Sequence, residues 1–107
     1  MIRVKVYKSN EGKIQGFKCF GHAGYAYAGE DIVCAAVSML VINTINSIEK
    51  FLPEEHFTVK TDEESGLIDF KFSNDPSEKA ELLLNSMVLG LQTVEKNYES
   101  KYVKLEF

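Results

Sequence analysis

Gly21-His22-Ala23-Gly24-Tyr25-Ala26-Tyr27-Ala28-Gly29-Glu30-Asp31-Ile32-Val33-Cys34-Ala35-Ala36-Val37-Ser38 reads as the passage from a strand into a long apolar helix. A histidine follows the strand, a loop of small residues comes next, and a cysteine falls in the first helical turn. Asp31 fits the N-cap, where its carboxylate accepts from the N–H groups of Val33 or Cys34, which makes Cys34 the third helical residue. A helix N-terminus presents unsatisfied N–H groups and the positive end of the backbone dipole, and both favour a thiolate over a thiol. Gly24 and Gly29 can act as hinges for a loop from His22 to Glu30.

Outward from this stretch the chain alternates between two periods. Ile2-Arg3-Val4-Lys5-Val6-Tyr7 has the two-residue period of a half-buried strand. Ser9-Asn10-Glu11-Gly12 turns it into a second strand through Ile14, Phe17, Cys19 and Gly21, with a bulge expected near Gly16. The helix that begins after Asp31 is expected to end near Leu52, before Pro53. It is apolar on more than one side, so a second cover from another subunit is expected. Phe57–Lys60 and Leu67–Phe72 read as a second hairpin. Asp75 as N-cap and Pro76 at the first helical position then announce a second helix, bearing Ala80, Leu84, Met87, Leu91 and Val94 at helical spacing. Tyr102–Phe107 is a last alternating strand. The fold class is α+β in one domain over 1–107, in ββαββαβ order, with a mixed β-sheet packed with two α-helices.

Length and composition bound the reading. A chain of 107 residues with 45% hydrophobic and 26% charged residues can bury a core without staples. The formal net charge of −4 argues against direct nucleic-acid binding, on the summed charge. The two cysteines, the lack of an apolar leader before the first charges and an apolar run from Ile32 to Ile42 too short to span a bilayer point to the cytoplasm, with reduced thiols and no membrane.

Position leaves two readings of Cys34 open, a small buried hydrophobe or an activated thiol. His22 is equally a strand-closing surface residue or a base, and His56, in a charged turn, is read as solvated. Cys19, His22 and Cys34 are the right types for a metal site but provide too few ligands for a structural zinc, so no metal and no cofactor are expected. A redox pair would require Cys19 to approach Cys34, and no Cys-x-x-Cys supports it.

The whole stretch resembles the ribosomal-processing cysteine protease family, Prp. The motif is a Gly-His, here Gly21-His22, a short variable loop, and Gly-x-Asp-Ile-Val-Cys-Ala-Ala followed by a serine, here Gly29 to Ala36 with Ser38. The Leu-Gln-Thr-Val-Glu segment at Leu91 to Glu95 also fits, and the likeness covers the full chain. The resemblance implies an endopeptidase in which Cys34 is the nucleophile and His22 the general base, with no third triad member evident. Asp31 and Ser38 are then supporting residues, and Gly21, Gly24, Tyr25, Tyr27 and Gly29 form a loop over the substrate. Backbone N–H groups at the helix start, that of Cys34 included, are the natural oxyanion donors. The implied substrate is the N-terminal extension of the twenty-seventh large-subunit ribosomal protein of certain bacteria, and a homodimer is implied as well. A non-catalytic ribosome-associated module that holds a peptide in the same groove is the alternative.

Overall fold

The computed structural model describes residues 1–22, 31–98 and 101–107. The loop residues Gly24, Tyr25, Tyr27 and Gly29 lie outside the described residues, and so does the expected hinge between them. The element order is β1 (Ile2–Lys8), β2 (Ile14–Phe20), α1 (Ile32–Phe51), β3 (Phe57–Asp62), β4 (Leu67–Phe72), α2 (Glu78–Asn97) and β5 (Val103–Glu106). This is the ββαββαβ order expected. The strands make one sheet in the order β3-β4-β2-β1-β5, antiparallel throughout except for β5, which runs parallel to β1.

Alternation along β1 sends Ile2, Val4 and Val6 to one face of the sheet, where the core lies. Register in β1–β2 slips by one residue: Tyr7 faces Gly16 and Lys8 faces Ile14, so the expected bulge falls at Gln15, beside Gly16. Gly16 is required by space, since a Cβ there would sit on the Phe70 carbonyl oxygen of β4. Phe17 and Phe70 stack at 5.2 Å across this contact, and offset aromatic packing of this kind anchors the centre of the sheet.

α1 lays Val33, Val37, Val41, Thr44 and Ile48 on the core, a stripe at spacings of three and four. Thr44, buried among apolar neighbours, donates from Oγ1 to the Leu40 carbonyl at 2.7 Å, so no buried polar atom is left wanting there. Met39, Ile42 and Phe51 face outward, 69%, 46% and 70% exposed, so one side of this apolar helix has no cover among the described residues. By length and apolarity alone the 20-residue helix could cross a membrane, which the shorter run Ile32 to Ile42 could not, but its buried stripe is packed on the sheet.

The second helix starts later than its sequence suggests. The N-cap is Ser77, whose Oγ accepts from the Ala80 N–H at 3.2 Å, and neither Asp75 nor Pro76 occupies the expected place. Two distant partners explain the shift. The Ser77 N–H donates to Glu55 Oε1 at 3.0 Å, which holds residue 77 outside the helix, and the Asp75 carboxylate accepts from Gln15 Nε2 at 2.9 Å. At the other end Glu95 of α2 accepts the Leu105 N–H at 2.7 Å, tying edge strand β5 to the helix layer.

Candidate active site

β2 ends at Phe20, and Gly21 turns the chain with a φ of +91°. A Cβ at Gly21 would strike the Met1 carbonyl oxygen, so only glycine lets the chain pass. Gly21 donates its N–H to the Ser65 carbonyl at 2.9 Å, and the Met1 ammonium donates to the His22 carbonyl at 2.6 Å. The backbone on either side of the His22 side chain is thereby held from two directions.

The imidazole itself meets the β3–β4 turn. His22 Nε2–H donates to the Glu64 carbonyl at 3.0 Å. A carbonyl only accepts, so this bond selects the tautomer protonated at Nε2 and leaves Nδ1 as the nitrogen with a lone pair. Gly66, at φ +69°, lets the ring approach: a Cβ there would lie 2.7 Å from the Gly21 carbonyl and 3.4 Å from His22 Cε1. The orienting group is therefore a main-chain oxygen supplied from more than forty residues away. Neither Glu64 nor Gly66 was visible as a site residue in the sequence, because the signal depends on where a hairpin turn lands.

Asp31 caps α1 as expected. Its Oδ1 accepts from Val33 N and Cys34 N, each at 3.0 Å, and its carbonyl accepts from Ala35 N at 3.1 Å. The Cys34 N–H thus donates to the cap. The Cys34 side chain is half-buried at the third position of the helix, packed against the core.

His22 and Cys34 face one recess of about 180 Å³, together with Ile2, Cys19, Val37, Val41 and Ile68. Gly21, Ser38 and Gly66 complete its wall. Ser38, one turn beyond Cys34, is exposed and also borders a second recess of about 330 Å³ lined by Thr61, Asp62, Glu63 and Leu67. Gly66 and Ile68 are common to both, so an apolar compartment beside the cysteine opens into an acidic one along the β3–β4 hairpin. The approach of Cys19 to Cys34 that a redox pair would need is present to this extent: both line the same recess. Burial, and then the negative charge of Cys34, push the Cys19 thiol up to about 11 from its ordinary 9.0. Cys19 stays a thiol at neutral pH. Among the described residues no group of three or more metal-binding side chains exists.

A sulfur at a capped helix N-terminus, beside a histidine whose ring is pinned with one nitrogen free, is an arrangement suited to nucleophilic attack on a carbonyl. The family model described as "Cysteine protease Prp" matches residues 1–104. The chain belongs to the Prp family of cysteine proteases. The ribosomal processing cysteine protease Prp of Bacillus subtilis is 33% identical over 103 residues, covering 92% of this chain and 91% of that protein. The Prp of Staphylococcus aureus strain Mu50 is 32% identical over 98 residues, covering 92% of each. Among solved structures, S. aureus Prp with a covalently linked product peptide superposes with a TM-score of 0.92 at 30% identity, over 99% of this chain and 98% of that one. The same protease in complex with a substrate peptide gives 0.86 at 29% identity, with the same coverage. The Prp fold is thus shared from end to end, and the recess is walled by β1, β2 and the two residues after it, α1 and the β3–β4 hairpin.

Proposed function

We propose that this protease is an endopeptidase that removes the N-terminal extension of the twenty-seventh large-subunit ribosomal protein through a Cys34–His22 dyad. The observation that carries the reading is the single recess that both side chains line. His22 Nδ1 takes the thiol proton while Cys34 Sγ attacks the scissile carbonyl carbon, forming a tetrahedral intermediate. Collapse breaks the C–N bond, the proton passes from His22 to the leaving amine, and a thioester to Cys34 remains. Water then attacks the thioester, giving its proton to His22, and the acid departs as the thiol is restored. The product peptide joined covalently to the S. aureus relative is consistent with a covalent route.

The compartments match such a substrate. Val37, Val41 and Ile68 accept an apolar side chain next to the scissile bond, and Asp62 and Glu63 face the basic residues common in ribosomal proteins. Asp31 supports Cys34 by fixing the helix start, and Ser38 stands where the two compartments meet. The work is done in the cytoplasm by a homodimer, with a complete site in each subunit, in which the outward Met39, Ile42 and Phe51 of α1 are covered.

Mass spectrometry of the extended ribosomal protein after incubation with the wild type, Cys34→Ala and His22→Ala tests the reading. Cleavage at one site by the wild type alone, with both variants folded, is expected. An intact substrate that binds all three proteins alike would replace the dyad with a peptide-holding module.

A further inference from the structure

Helices cover one face of the sheet, and the other face, open among the described residues, carries a charge distribution that the composition conceals. Across β5, β1, β2, β4 and β3, one row of paired residues on the open face reads Glu106, Lys5, Lys18, Asp69, Lys60. The row on one side has Lys104 beside Arg3 beside Phe20, and the row on the other has Tyr7, Gly16, Lys71 and Thr58. Six of the chain's 12 cations thus share this face with the two carboxylates Asp69 and Glu106, in a protein of net charge −4. Asp62, at the end of β3, turns into the hairpin to accept from Glu64 N and Ser65 Oγ.

Three features give this face a direction. Glu106 is engaged by Arg3 at 2.8 Å, and Asp69, which accepts from the Tyr7 hydroxyl at 3.3 Å, is paired across the sheet with both Lys18 and Lys60, so the six cations outnumber the two carboxylates set among them three to one. Lys5 stands opposite Lys18 in an antiparallel pair and Arg3 beside Lys104 in the parallel one. Like charges set opposite one another destabilise a sheet, and a solvent-facing position could hold any polar residue instead. The two aromatic rings of the face each carry a cation: Lys18 Nζ lies 5.3 Å from the Phe20 ring centre and Lys71 Nζ 5.3 Å from that of Tyr7. A ring to stack on with a cation beside it is what successive bases and their phosphates require, and a flat sheet suits unpaired bases better than a duplex groove.

We propose that this open face binds single-stranded polynucleotide, independently of the proteolytic site on the opposite side of the sheet. Summed charge argued against such a partner, but the acids gather elsewhere, in Asp62-Glu63-Glu64 of the hairpin and Glu78 and Glu81 of α2. A second copy docking the same patch would bring cations against cations, which disfavours self-association through it.

The test is fluorescence anisotropy of a labelled mixed-sequence RNA oligonucleotide and its DNA counterpart against the wild-type protein at several salt concentrations. Binding is expected to fall with a log–log salt slope of about −2 to −3, for three or four phosphates at ~0.7 each. Lys5→Glu/Lys18→Glu is expected to lose at least about 10-fold in affinity, and Lys50→Glu/Lys79→Glu, the same charge change on the helices, less than about 2-fold. Phe20→Ala is expected to weaken single strands by about 5-fold or more and a duplex less. Tighter RNA than DNA would assign part of the contact to the 2′-hydroxyl, and equal binding would assign it to phosphates and bases, which both strands share. Peptide cleavage by the sheet variants at the wild-type rate reports an intact fold, and the milder Lys5→Gln/Lys18→Gln serves if the reversal does not fold. Absent binding at low salt, equal losses in both reversal variants, or equally tight binding of polyglutamate would overturn the proposal. So would a change of oligomeric state in the sheet variants without polynucleotide binding by the wild type.

Discussion

The chain contains two strand–strand–helix units, β1-β2-α1 and β3-β4-α2, and they solve the same local problem differently. Each helix has 20 residues and begins at a short side chain that accepts from its first-turn N–H groups, Asp31 in one and Ser77 in the other. The first turn of α2 holds Glu78 and Glu81, which satisfy the positive end of their own helix; the first turn of α1 has no acid and holds Cys34. In the first unit the acid stands at the cap itself, where Asp31 accepts from the Cys34 N–H and fixes the turn that carries the thiol; in the second the cap is a neutral serine and the acids follow it. The second unit contributes to the site by another route, through the turn of its hairpin, which reaches His22.

The largest break in this division of labour is expected at Gly66. Alanine there must hold φ +69° with its Cβ 2.7 Å from the Gly21 carbonyl, so the turn has to withdraw from His22. Strain of this kind costs about 1–3 kcal/mol, and if His22 is the base of the proposed dyad its displacement is expected to lower kcat/KM by about 100-fold. Thermal melting and peptide kinetics on the same sample check it. A loss of activity no larger than the loss of folded protein would mean that the hairpin does not orient the base.

Within the first unit, the two cysteines of the recess can be separated by alkali. The folded Cys19 thiol, at about 11 against an ordinary 9.0, keeps its proton when the unfolded chain has lost it. The folded state then binds more protons than the unfolded one, so stability falls as pH rises. The contribution is intact below pH 9 and lost between there and about 11, and the two-unit difference at ~1.4 kcal/mol per unit corresponds to about 3 kcal/mol. Urea unfolding of the wild type and Cys19→Ala from pH 8 to 11 measures it: the variant starts less stable, and its curve is expected to fall less steeply. Parallel curves would remove burial of Cys19 as the cause.

The caps provide a smaller and more pointed contrast. Asp31→Ala and Ser77→Ala are each expected to cost about 1 kcal/mol in chemical denaturation. Only the first is expected to lower cleavage by more than its effect on folding, since only Asp31 holds the turn that carries Cys34. Asp31→Asn, which keeps an acceptor and removes a charge, should move the acid limb of kcat/KM to lower pH. Equal effects of the two alanine variants on cleavage would erase the distinction between the helices.

What could be read from the chain was what neighbours in sequence decide. The strand alternation of Ile2–Tyr7, the Asp31 cap and the end of α1 before Pro53 are local signals, and each element is found where they put it. The start of α2 was misplaced because Asp75-Pro76 and Ser77 both satisfy the local rules for a helix start. Gln15 and Glu55, from other elements, decide between them. The same holds at the site. His22 and Cys34 stand out by residue type and by family likeness, whereas the Glu64 carbonyl and the nearness of Cys19 are products of strand order. The open sheet face is the extreme case: its cations are spread from residue 3 to residue 104 and become a surface only when β5 pairs with β1 and β4 with β2.

The finest test makes one helix start resemble the other. Ala35 is exposed and follows Cys34 in the first turn of α1, so Ala35→Glu would give α1 an acid such as α2 already has. The added carboxylate is expected to stabilise the helix by about 0.3–1 kcal/mol while opposing the thiolate, which shifts the acid limb of kcat/KM upward by a few tenths of a pH unit. Ala35→Lys should do the reverse on both counts, and both shifts should shrink in high salt because the position is solvated. The opposite signs are what matter, since bulk at residue 35 would act in the same sense in either variant. Shifts of the same sign would mean that steric change, and not the field at the start of α1, governs the reactivity of Cys34.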